Sequence, residues 1–295
     1  MRTSITQVNA FTEQPFLGNP AGIVTDATGL SDSIMQLLAR QMNLSETAFI
    51  FPSKHPESQV HIRWFTPSCE VPLCGHATIA SFYALALEGR YGLAERKEHT
   101  LKVECQVGIL PIRVIHETER ITVFFGLPLP EFHDVGFNVE ELVALLGIGA
   151  GDLDYSLPPK RHGDYWYIPV KNLDAMRRMR PEFERLRLWN GGPSLALFTT
   201  ETYHASSDWH MRFFAPRFGI NEDPVTGSAQ GPVAVYMAMF GPEALRAKRS
   251  FIAEQGDIIN RAGRVQINLK GDGRRIDSVE IGGTAVLMQT GEIFW

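Results

Sequence analysis

The chain repeats itself about its midpoint. Arg63-Trp-Phe-Thr-Pro67 recurs as Arg212-Phe-Phe-Ala-Pro216, 149 residues later in a chain of 295. Each copy runs into a Gly-centred turn, Cys74-Gly-His-Ala-Thr78 in the first half and Thr226-Gly-Ser-Ala-Gln230 in the second. Each turn opens an apolar segment of helical character, Ile79 to Leu87 and Val233 to Phe240. A helix that is apolar all round is one buried on every side. The repeat therefore implies two related halves, each wrapped around its own central helix. The length agrees, since one core rarely grows past about 250–300 residues and two domains of about 150 are the usual solution.

What wraps those helices reads as strand. Alternating or β-branched runs occur at 4–11, 21–25, 47–51, 60–65, 101–107, 109–115 and 120–125, and again at 165–170, 194–199, 210–214, 251–254, 264–269 and 277–281. Glu104-Cys-Gln-Val-Gly-Ile109 and Glu254-Gln-Gly-Asp-Ile258 form a second, weaker echo between the halves. Amphipathic outer helices are predicted at 31–43, with Ser31 or Asp32 as N-cap, and at 138–146, capped by Asn138. The expected organisation is α+β, with two pseudo-symmetric lobes, each a curled, mostly antiparallel sheet or barrel around a central helix. Residues 1–118 form the first lobe, joined by a C-terminal strand at 284–295, and 119–283 form the second.

Composition excludes several classes of function. The net charge is -5, and the densest basic stretch, Arg177 to Arg187, is interrupted by Met179, Pro181, Glu182 and Glu184. Phosphate-backbone binding needs sustained positive charge on one face, so a solvated surface is expected there and nucleic acid is not an expected partner. No run approaches the roughly 18–20 apolar residues of a membrane-spanning helix, and the N-terminus alternates like a strand, so a cytoplasmic protein is expected. Three cysteines, Cys69, Cys74 and Cys105, fit neither a disulfide framework nor zinc-ligand spacing, and the nine histidines are scattered. No metal or nucleotide cofactor is expected, because glycine-rich phosphate-binding motifs are missing as well.

The chemistry-bearing residues cluster at the two turns. A Gly-led helix start points free N–H groups and a positive dipole end at whatever lies in front of it, which suits a carboxylate. Gly75 and Gly227 supply two such starts. If the halves are related by a pseudo-twofold, both could hold one anionic substrate. Otherwise they only permit tight turns. Asp223, Thr226 and Ser228 flank the second helix start, where Asp223 or Thr226 could simply be an N-cap, and His76 occupies the place in the first repeat that Ser228 occupies in the second. Glu46 precedes the apolar run 47–51, and a carboxylate entering such a run has its charged form disfavoured by desolvation. By itself the sequence also permits a surface glutamate at a strand edge.

Four blocks decide the matter by resemblance: Val8 to Ala21, Met42 to Phe49, Phe65 to Thr78 and Glu222 to Pro232. Their order and spacing over the whole chain resemble the PhzF-like family, named for phenazine biosynthesis, and in particular its many uncharacterised bacterial members. The resemblance implies a diaminopimelate-epimerase-like fold with the site between two lobes, no metal or organic cofactor, and a homodimer. It implies Glu46 as general acid/base, His76, Asp223 and Ser228 as further active-site residues, and Asn19 and Pro20 on a loop near the substrate. Gly75, Gly227, Cys74 and Thr226 would line the substrate site. The activity implied is movement of a proton between carbons of a small carboxylate-bearing, cyclic or unsaturated metabolite. Epimerases of this fold use two opposed thiols, each before a glycine. Cys74 has such a place, but its partner is Thr226, or Pro224 in the other alignment, which excludes two-thiol racemisation. Cys74 is then a remnant, a packing residue or a second proton carrier.

Two rivals remain. A non-catalytic binder of anionic metabolites would use the same helix starts without proton chemistry. A serine hydrolase would use His76, Asp223 and Ser228, but the nucleophile elbow is missing, since Gly227-Ser-Ala-Gln-Gly231 sets the serine one place too early.

Overall fold

The computed structural model describes residues 2–272 and 275–294. In chain order the first elements are β1 (Arg2–Ala10), β2 (Asn19–Val24), α1 (Asp32–Met42), β3 (Glu46–Pro52), β4 (Val60–Phe65), β5 (Glu70–Val71), α2 (Gly75–Leu87), β6 (Glu98–Cys105), β7 (Gly108–His116) and β8 (Ile121–Leu127). There follow β9 (His133–Asp134), α3 (Val139–Leu146), β10 (Lys160–His162), β11 (Tyr165–Pro169), α4 (Leu173–Arg178), α5 (Phe183–Leu188), β12 (Ser194–Thr199), β13 (Trp209–Ala215), β14 (Ile220–Asp223), α6 (Gly227–Phe240), α7 (Glu243–Arg246), β15 (Ser250–Gln255), β16 (Gly263–Lys270), β17 (Ser278–Gly283) and β18 (Ala285–Phe294). Sheet dominates with a few helices, an α+β protein. Two units emerge, residues 1–126 with 281–295, and residues 127–280.

In the first unit β1 lies antiparallel between β2 and β18, so the last strand of the chain pairs with the first from Ala10–Ala285 to Arg2–Phe294. β2 and β3 are parallel, which requires a crossover, and α1 supplies it. Ser31 starts α1 by accepting the Ile34 N–H, and Asn43 ends it in the left-handed region at φ 51°. The apolar face of α1, Met35, Leu38 and Ala39, packs on Phe49 and Phe65. β4 is antiparallel to β3 and parallel to β6, with α2 as the second crossover. That helix touches β1, β2, β3, β7 and β18. It is buried from His76 to Phe82 and again from Ala84 to Ala86. Burying a side chain such as Phe82 stabilises the unit by about 1.5–3 kcal/mol. The polar members Thr78 and Ser81 are satisfied by donating to the Cys74 and Ala77 carbonyls, both at 2.6 Å.

The second unit repeats this plan. β11 and β12 are parallel with α4 and α5 between them, β12 and β13 antiparallel, and β13 parallel to β15 with the buried helix α6 between. Register matches to the residue: His61 stands opposite Glu104 in the first unit and His210 opposite Glu254 in the second. The sequence echoes have a structural cause. Arg63 Nε and Nη2 grip both oxygens of Glu70 at 2.7 Å, and Arg212 grips Glu222 in the same bidentate way at 2.8 and 2.7 Å. Each arginine ties the strand that precedes a central helix to the strand beside it.

Candidate active site

The first unit assembles a thiol, an imidazole and a carboxylate from three separate elements. Glu46 opens β3 opposite Ala21 of β2. Cys74 is the N-cap residue of α2, in extended conformation, and contributes no side-chain cap. His76, in the first turn of that helix, is 7% exposed. Its Nε2 lies 3.3 Å from Glu46 Oε2, and its Nδ1 lies 3.5 Å from Cys74 Sγ. Burial pushes the imidazole down from 6.5 to about 4, partly offset by a hydrogen bond to the Pro20 carbonyl, so His76 is neutral near pH 7. Pro20 and the buried Asn19 begin β2, and Gly18 before them needs φ 70°, with room for no Cβ because the Ala10 carbonyl would lie 2.3 Å away. The loop predicted to lie near the substrate thus reaches the imidazole through Pro20.

The second unit fixes Asp223, Thr226 and Ser228. Thr226 is the N-cap residue of α6, yet its hydroxyl donates to Asp223 Oδ2 at 2.5 Å and does not cap the helix. The N-cap reading of Asp223 and Thr226 therefore gives way to an Asp–Thr pair, and both central helices begin without a side-chain cap. Behind the pair runs a buried chain. Trp209 Nε1 donates to Gln230 at 2.7 Å, Gln230 Nε2 to Gln255 Oε1 at 3.1 Å, and Gln255 Nε2 to Thr226 Oγ1 at 3.0 Å and the Asp223 carbonyl at 2.8 Å. A fully satisfied buried network of this kind specifies one arrangement. Ser228 Oγ lies 3.2 Å from Tyr165 Oη, whose ring stands edge-on to Phe213. Pro232, inside α6, lacks the N–H that would take the Ser228 carbonyl.

Sequence reasoning missed Tyr165, Gln230 as a positioning residue and Gln255. Gln255 carried a signal, since it follows Glu254 in the weaker echo. Tyr165 carried none, because its contact depends on where β11 meets the start of α6.

Among the described residues, two clusters bring together side chains able to ligate a metal ion: Glu46 with Cys74 and His76, and His210 with Glu254 and Asp257. In the first, the imidazole turns Nδ1 toward the thiol, at 3.5 Å from Sγ, and Nε2 toward the carboxylate, at 3.3 Å from Oε2, so its two nitrogens face different groups. In the second, Arg264 already holds Asp257 at 2.7 and 3.0 Å, and the Tyr203 and His204 N–H groups hold Glu254 at 2.7 and 2.8 Å. Among the described residues, no helix is long and apolar enough to cross a membrane.

With this geometry in view, the chain can be set beside known proteins. Residues 8–291 match the family profile described as phenazine biosynthesis-like protein, PhzC-PhzF. A Clostridium acetobutylicum protein described as an uncharacterised isomerase is 35% identical over 98% of this chain and 97% of its own length. A Pseudomonas aeruginosa protein of the same description is 36% identical over 99% of both. The crystal structure of a Bacillus anthracis phenazine biosynthesis protein of the PhzF family superposes with a TM-score of 0.89 at 34% identity, covering all of both chains. At 10% identity and a TM-score of 0.59, a hydroxyproline epimerase from Agrobacterium vitis shares the fold, over 99% of this chain and 92% of its own.

Proposed function

We propose, from the premise that this chain belongs to the PhzC-PhzF family of phenazine biosynthesis-like proteins, that it is a cofactor-independent isomerase with Glu46 as its single proton carrier. The isomerase class itself is supported by the family and by the relatives' descriptions. The finer reading rests on one observation: the Glu46 carboxylate stands 3.3 Å from a neutral, buried imidazole.

The substrate is a small carboxylate whose C–H bond is acidified by neighbouring unsaturation. The uncapped start of α2 or α6, led by Gly75 and Gly227, offers N–H groups and a positive dipole end for that carboxylate. Glu46 removes the proton as base and, as acid, delivers it or an equivalent one exchanged with solvent at its carboxyl to another carbon of the same conjugated system, so no charge leaves the site and no external oxidant or reductant is needed. Neutral His76, with Nε2 3.3 Å from Glu46 Oε2, spares Glu46 a fixed cation that would pin the carboxylate in its ionised form. Asp223, held by Thr226 and Gln255, and Ser228, held by Tyr165, orient the substrate and meet the developing charge. Because one carboxylate does both transfers, the proton leaves and arrives on one face of the substrate.

Two observations weigh against a serine hydrolase. Ser228 Oγ contacts the Tyr165 phenol, and the His76 imidazole is engaged by a carboxylate and a thiol of its own unit. The proposal is tested by incubating the enzyme with a panel of unsaturated cyclic and acyclic carboxylates and following double-bond position by NMR. Isomerisation of a panel member by the wild type and not by Glu46→Gln supports it. Isomerisation undiminished in Glu46→Gln, or none of any bound panel member by the wild type, rejects it.

A further inference from the structure

A cavity of about 680 Å³ opens on the second unit, lined by none of the residues given a role in the proposed reaction, with Arg177, Arg180, Phe183, Tyr203 and Ile258 in its wall. Its origin is a departure from the duplicated plan. The first unit crosses from β2 to β3 on α1, eleven residues long, and Arg63 is closed off there by Asp32 at 2.7 Å. The second unit crosses from β11 to β12 on two helices of six residues, α4 and α5, and the break between them leaves the hollow.

The charges in that wall are not balanced. Its two carboxylates are occupied, Glu222 by Arg212 at 2.8 and 2.7 Å and Asp257 by Arg264 at 2.7 and 3.0 Å. Arg177 and Arg180 are held differently. Arg177 Nε donates to Tyr203 Oη at 2.9 Å while its guanidinium lies 4.8 Å from the centre of the Tyr203 ring. Arg180 Nη1 donates to the Arg177 and Met179 carbonyls at 2.7 and 2.9 Å. These anchors are neutral, Asp174 and Glu201 act on Arg177 only through space, and the remaining N–H groups of both arginines have no acceptor among the described residues. Both arginines are exposed, but these hydrogen bonds hold each guanidinium in one orientation and so reduce the rotamer freedom lost on binding. Tyr203 is itself braced edge-on against the fully buried His210, with ring centres 5.2 Å apart. The rest of the wall is apolar, with Met179, Phe183 and Ile258.

We infer that this cavity is a second binding site, for a small aromatic carboxylate whose acid group meets Arg177 and Arg180 and whose ring lies among Met179, Phe183 and Ile258. A guanidinium fork matches a carboxylate in geometry as well as charge, and aromatic and thioether walls suit a flat apolar body. The volume falls within the range of about 300–1,000 Å³ usual for metabolite pockets. The site lies wholly within the second unit and stands or falls independently of the role of Glu46.

The test maps arginine reactivity in the full chain. Phenylglyoxal modification rates are measured residue by residue by peptide mass spectrometry, with and without 4-fluorobenzoate, and with the neutral 4-fluorobenzyl alcohol as comparison. Arg178 is the internal control, since it is bound instead to Asp152 and Asp174. At two-thirds occupancy, 4-fluorobenzoate slows modification of Arg177 and Arg180 by about threefold and leaves Arg178 unchanged. No protection, equal protection by the alcohol, or equal protection of Arg178 overturns the assignment.

Discussion

Glu46 gains its significance from two neighbours distant in sequence, a thiol before the first central helix and an imidazole within it. Replacing Glu46 by Gln keeps size and hydrogen bonding but removes the proton carrier. Turnover should fall by about 10³-fold or more, with the thermal unfolding midpoint within a few degrees of wild type. Cys74→Ala separates the remaining readings of the thiol. With Glu46 as sole carrier, kcat/KM stays within about tenfold of wild type, whereas a loss equal to that of Glu46→Gln would make Cys74 a second carrier. His76 makes a prediction about stability. Its folded pKa of about 4 lies below the unfolded 6.5, so between these values the unfolded chain binds a proton that the folded chain refuses. Stability is therefore unaffected by His76 above pH 6.5 and declines as pH falls toward 4, by at most about 3 kcal/mol. Urea unfolding of wild type and His76→Asn across pH 4.5–7.5 reads this as a steeper wild-type slope. Glu254 acts in a lower window. Burial raises its pKa, but the His210 imidazole, the Tyr203 and His204 N–H groups and Arg264 outweigh that and hold it at about 2, so its contribution is lost only as pH falls from 4.5 toward 2. The family motifs pointed to Glu46, His76, Asp223 and Ser228, and of these Glu46 and His76 stand 3.3 Å apart. Tyr165 was not legible in the sequence, because no local pattern reports which residue a strand will present to a helix start.

Among the elements, the strongest constraint is how each central helix begins. Apolar composition all round marked α2 and α6 as buried, and the glycines marked their starts. That Thr226 turns its hydroxyl to Asp223, leaving the helix uncapped, depends on Gln255, which a tight turn holds in place. Gly256 makes that turn at φ 84°, and a Cβ there would lie 2.4 Å from the Arg261 carbonyl and 2.7 Å from that of Pro224. Gly256→Ala should cost about 2 kcal/mol or more, lowering the unfolding midpoint by about 4–8 °C, and should weaken activity by displacing Asp223. Calorimetry with parallel kinetics checks both parts. Strands of five or more residues were readable, and 60–65 and 194–199 coincide with β4 and β12. The short elements were not. α4 and α5 have six residues each, too few turns for a 3.6-residue period to emerge, and β5 and β9 have two residues each and exist only through their partners.

For the whole molecule, duplication is the fact that organises the rest, and it was legible because both halves retain the arginine that clamps the strand before the central helix. Less legible was where the halves diverge, since one long crossover helix against two short ones is a difference in packing with no motif. The chain also returns at its end, β18 pairing with β1 along the length of that strand. Truncation after Gly283 would expose β1 as a long edge strand and strip one side from α2. Limited proteolysis of such a variant should cut first within residues 1–126, and preferential cutting within 127–280 would refute that dependence. Transfer of a proton at carbon by one carboxylate is the central claim, and exchange in deuterated water tests it most directly. With a substrate from the carboxylate panel, the wild type should incorporate deuterium at the carbon that receives the proton, and Glu46→Gln, folded, should incorporate none. Incorporation by Glu46→Gln at the wild-type rate would contradict the account.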